Sequence, residues 1–194
     1  ADAALTGYLA LRVPEGLEFH VEEWRHGSGV EKWERAYERQ LAARDRSVKR
    51  LTAFMTEKRR AAAELTRRYA ELAALGVPRW SALASARVGV VHEAFARELE
   101  RAEVPASFTA EEHYEAYCDA LTQRAAPLRR AAAEQYRQCL ALATRAGASV
   151  EQARACGQAL DRLEGTSGEH YEMPVKTSHV ELEAAPERVG VVTE

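Results

Sequence analysis

The chain has 194 residues and a mass of 21.5 kDa, and its 46% hydrophobic content can fill the core of one domain or two small ones, which excludes wholesale disorder. Eleven Gly and six Pro are few for this length while Ala, Leu, Glu and Arg dominate, arguing against collagen, low-complexity linkers and a many-stranded sandwich. A net charge of -3 gives no global attraction to nucleic acid or anionic membrane, and no apolar run approaches the ~18 residues of a bilayer span.

An all-α chain is therefore expected. Its first residues, Ala1-Asp2-Ala3-Ala4, carry neither Met nor a charged-then-apolar leader, as a mature or excised piece of a longer protein would. Leu5, Tyr8 and Leu9 at helical spacing predict a helix over Asp2 to Val13 that stops before Pro14. Pro14 to Gly29 reads as a connection anchored by Phe19 and Trp24.

No proline or glycine interrupts Val30 to Leu75, and one register repeats every seven residues. Leu41, Val48, Met55, Ala62 and Tyr69 make one row; Tyr37, Leu51, Leu65 and Leu72 make most of the other. A long helix with a narrow seam follows. Arg44 and Lys58 interrupt the second row, so the seam is expected to be open to solvent there, with their stems snorkelling along a partly covered edge or pairing with a partner's acids. Gly76 stops this helix, and Pro78 starts an antiparallel neighbour in which Leu83, Val88, Val91, Phe95 and Leu99 share one side. Glycine inside a helix costs about 1 kcal/mol against alanine, so close packing is the expected reason for Gly89.

Thr109 and Glu112 predict a capping box that opens a fourth helix running to Ala146, with a kink or break near Gln123 to Pro127. Gly147 ends it and Ser149 caps a last helix with the stripe Ala153, Cys156, Leu160 and Leu163. The helical domain then covers 1–163, and residues 164–194, rich in Glu, form an extended acidic tail.

Small residues at the crossings of successive hairpins resemble a tetratricopeptide or related solenoid. Val88-Gly89 with His92 is similar to the leucine-glycine-x-x-tyrosine step of a first repeat helix, although His92 stands where the pattern has an aromatic ring. Ala132, Tyr136 and Cys139-Leu140 resemble the corresponding step of a second repeat helix, and Leu65, Tyr69 and Leu72 imitate it more weakly. The ~34-residue period is not kept, because the helices from Val30 and Thr109 are too long, so the repeats are read as elongated and divergent. The string Trp80 to Gly89, taken with Ala126-Pro127-Leu128 and Tyr136 to Leu140, resembles the C-terminal region of large myxobacterial tetratricopeptide-repeat proteins associated with adventurous gliding motility and the cell envelope.

That resemblance implies a non-enzymatic scaffold in the periplasm, binding other envelope proteins without a cofactor. It also implies a disulfide between Cys139 and Cys156, which can face each other across the turn at Gly147; two reduced core thiols are the alternative. Repeat position places Ala86, Val90 and Glu93 in the partner-binding groove.

No catalytic or metal-binding residues are assigned. His113 with Glu112 and Asp119 cannot all face one metal, and no phosphate loop or nucleophile elbow stands out. The basic residues from Lys49 to Arg68 are interleaved with Glu57, Glu64 and Glu71 as on a solvated, salt-bridged face, so nucleic acid is not expected as a partner. The rival reading is a structural coiled-coil protein that self-associates through the helix at 30–75, near Tyr37 to Met55.

Overall fold

The computed structural model describes residues 2–22, 30–145 and 150–165. Among the described residues five helices pack together: α1 (Asp2–Leu9), α2 (Val30–Ala73), α3 (Pro78–Glu100), α4 (Glu111–Arg145) and α5 (Val150–Gly165). Trp24, the Gly147 stop, the Ser149 cap and the tail from Thr166 onward lie outside the described residues.

The heptad seam produces the expected long helix, and at ~1.5 Å per residue the 44 residues of α2 extend about 66 Å. Gly76, at φ 71°, adopts the left-handed turn conformation that only glycine takes without strain, and Pro78 then occupies the first turn of α3. The two helices run antiparallel: Ser81 Oγ donates to the Ala73 carbonyl near the turn, while Met55 packs on Phe95, Ala96 and Leu99 far from it.

The crossing of α3 and α4 runs in the same antiparallel sense, with Gly89 beside Tyr136 at one end and Arg129 paired to Glu100 at the other. Helix α4 folds back onto α5 through a Cys139–Cys156 disulfide with a Cα–Cα distance of 6.3 Å. Arg137 pairs with Glu164 across the same two helices at 2.7 Å. Helix α3 is thus the central rod, covered by α2 on one flank and α4 on the other.

Four sequence expectations need correction. Helix α1 ends at Leu9 rather than Val13, because the carbonyls of Tyr8 and Leu11 accept from the Lys58 ammonium and the Val13 N–H donates to Glu98. Lys58 is accordingly no snorkelling residue at an open edge. It is 1% exposed, with Nζ at 3.0 Å and 2.8 Å from the two carbonyls and 4.2 Å above the Tyr8 ring. The third correction concerns the start of α4, where the carbonyl of Ala110 takes the first helical bonds, leaving Thr109 one position too early to cap. Finally, of the kink or break expected near Gln123 to Pro127, the break does not occur: α4 continues through Pro127 as one helix.

Where α3 ends, α2 and α4 both continue, and the extended chain after α1 fills the space between them. It is pinned along α2 by Arg50, which donates to the Glu15 carbonyl, and by Ser47 Oγ and Gln40, which accept from the N–H groups of Glu18 and Glu22. Leu17 of this segment is buried. On the outer face of α2, Glu64 accepts from both Arg67 and Arg68, which hold its carboxyl down at about 2, as expected of a salt-bridged surface.

Candidate functional site

Helices α3 and α5 both lean on α4 without packing tightly on each other, and a trough of about 700 Å³ lies between them. Small side chains create it. Ala86, Val90 and Ala94 recur on one face of α3, and Ala155 and Ala159 sit four apart on α5, so small side chains from both helices leave space between them, with longer ones at the sides. Leu9, at the end of α1, forms part of the rim.

The wall of the trough is polar at one place. Glu93, 8% exposed, accepts from Tyr136 Oη at 2.6 Å and from the Arg97 guanidinium one turn further along α3. Burial pushes the Tyr136 phenol well above its ordinary range, and the hydrogen bond to Glu93 and its charge add to this. A buried carboxylate needs such partners, since an uncompensated one would carry a large desolvation penalty. Glu93 is therefore held in one place and joins α3 to α4.

Arg87, Arg97 and Arg162 add cationic groups to the lining, with Arg87 Nε at 3.7 Å from the Asp2 carboxylate. Arrangement and chemistry together make an apolar, open-sided trough with charges along its sides.

Ala86, Val90 and Glu93, placed in a groove by repeat position, all line this trough. The α5 side was missed, although Ala155 and Ala159 at helical spacing carried the signal: alanines one turn apart mark a face that a neighbour can approach or leave hollow. The Tyr136–Glu93 bond was also missed. It joins residues 43 apart, and no local pattern announces it.

Elsewhere, the His92 imidazole is half-buried and burial lowers its pKa. Cys118 is a free thiol, partly covered. Among the described residues no group of three or more His, Cys, Asp or Glu is placed to hold a metal ion, and no helix is long and apolar enough to cross a membrane. The chain matches no known family, no curated protein and no solved structure.

Proposed function

We propose that this chain is a non-enzymatic protein–protein interaction scaffold, a divergent tetratricopeptide-like stack that works in the periplasm within a bacterial cell-envelope complex such as gliding-motility machinery. The trough between α3 and α5 carries the reading, because methyl-bearing residues from two helices share one open-sided hollow suited to a helical or extended segment of another envelope protein. The Cys139–Cys156 bridge supports the compartment, since such bonds persist in oxidising surroundings like the periplasm and are rare in the cytosol.

Co-purification from envelope fractions tests it. Ala155 is exposed on α5 and lines the trough, so Ala155→Glu leaves the core intact while placing a charge where the partner docks. Envelope proteins retained by the original chain and lost by this variant support the scaffold; identical retention overturns it.

A second reading, self-association through α2, is favoured by Val48, a seam residue that is 47% exposed. Light scattering during size-exclusion separates the two. A concentration-dependent dimer abolished by Leu41→Glu supports the coiled-coil reading, and a monomer at all concentrations removes it.

A further inference from the structure

A second cleft, of about 640 Å³, opens in the other half of the molecule, where the extended segment lies between α2 and α4. Its walls are aromatic. Phe19 of the segment meets Tyr117 of α4 at 6.1 Å between ring centroids, and Phe108 approaches the edge of Tyr117 at 5.6 Å. Burial raises the Tyr117 pKa, with the nearby charges of Cys118 and Glu103 adding to the effect, so its ring is a neutral surface at physiological pH.

Among the described residues the charged lining is of one sign. Arg44 of α2 and Arg124 of α4 both border the cleft, and no Asp or Glu is among the described residues that do. Arg44 is paired with Asp45, which is outside the lining, donating from Nε at 3.3 Å and Nη2 at 3.1 Å, while Arg124 has no ion partner among the described residues. His20 and His113, with rings 5.2 Å apart, add imidazole groups to the same wall. Flat apolar faces beside Arg124, which no described carboxylate matches, and beside Arg44, whose guanidinium has donors to spare beyond the two given to Asp45, complement one chemistry: a ring for the aromatic faces and an anion for the arginines. The volume falls within the ~300–1,000 Å³ of small-molecule sites.

We infer that this cleft binds a small anionic aromatic molecule, a planar ring bearing a carboxylate, sulfonate or phosphate, with its ring among Phe19, Phe108 and Tyr117 and its anion between Arg44 and Arg124. This site is separate from the trough between α3 and α5 and does not depend on the scaffold reading. Binding is salt-sensitive, because both guanidinium groups are open to water.

The test uses the full chain titrated at low salt with anilinonaphthalene sulfonate, followed by competition with phenyl phosphate, phenol and inorganic phosphate. One saturable site is expected, displaced by phenyl phosphate at least tenfold more readily than by phenol or inorganic phosphate alone. Arg124→Gln weakens dye and phenyl phosphate about tenfold, the scale of one charge-assisted hydrogen bond, while its melting temperature is unchanged because the side chain is exposed. Arg59→Gln, on the exposed side of α2, leaves binding as it was. The inference is overturned if Arg124→Gln binds like the original chain, if phenol competes as well as phenyl phosphate, or if Ala155→Glu in the other trough removes the dye.

Discussion

Gly89 of α3 lies under the ring of Tyr136 of α4 so closely that a Cβ at position 89 would fall 2.6 Å from Cε1 and 2.8 Å from Cδ1. The ring cannot simply step aside, because its hydroxyl is bonded to Glu93 and the bond holds it over the glycine. Alanine would gain about 1 kcal/mol of helix propensity, but forcing α3 and α4 apart costs more. Gly89→Ala is expected to lower stability by about 1–2 kcal/mol net, read as a reduced midpoint in urea with an unchanged slope. An increased midpoint would show that the two helices separate freely.

Lys58 ties the N-terminal helix to the long α2. Replacing it by Met keeps the apolar stem and leaves the carbonyls of Tyr8 and Leu11 without their donor. A loss of about 1–3 kcal/mol is expected, together with faster amide exchange over residues 2–13 than over α3. Equal protection of α1 in both proteins would contradict this role for the ammonium.

Tyr136 gives the chain a dependence on alkaline pH with a defined sign. Its folded-state pKa lies above its unfolded value of 10.0, chiefly through burial and then through Glu93. The folded form therefore holds the proton more tightly, so this contribution is fully present below pH 10 and is lost as pH rises beyond that value. Tyr8 is raised for a related reason, burial first and the Glu98 charge second, and acts in the same direction. Melting temperatures recorded from pH 8 upward are expected to fall more steeply above about pH 10 in the original chain than in Tyr136→Phe. Parallel curves would contradict the assignment.

The bridge closes a loop between residues 17 apart, for which the chain-entropy description gives a stabilisation of about 3 kcal/mol. Denatured but unreduced protein should expose one thiol, Cys118, and reduced protein three. Reduction should lower the urea midpoint accordingly. Three thiols without reductant, in protein prepared under oxidising conditions, would contradict the bridge.

Much of this architecture is legible in the sequence because it is local. The seven-residue rows foretell α2, and Gly76 followed by Pro78 foretells its sharp reversal into α3; both depend on neighbours within a turn or two. Lys58 departs from its expected place for the opposite reason. Its heptad position says only that a charge interrupts the seam, whereas its partners lie 50 and 47 residues away at the end of another helix. Thr109 and Glu112 illustrate a third case, a valid capping pattern set aside when the chain entered the helix one residue later, at Ala110. Of the trough, the α3 side could be placed by analogy with a repeat, but the α5 side required knowing that the two helices flank α4 together.

The most direct test of the interaction role is a photo-reactive amino acid at Ala155 in living cells, with another at Arg59 as a control on the exposed side of α2. Crosslinks to one or a few envelope proteins from position 155, absent from position 59, are the predicted result. Crosslinks from position 59 to those same proteins, with none from position 155, would contradict the trough as the docking surface.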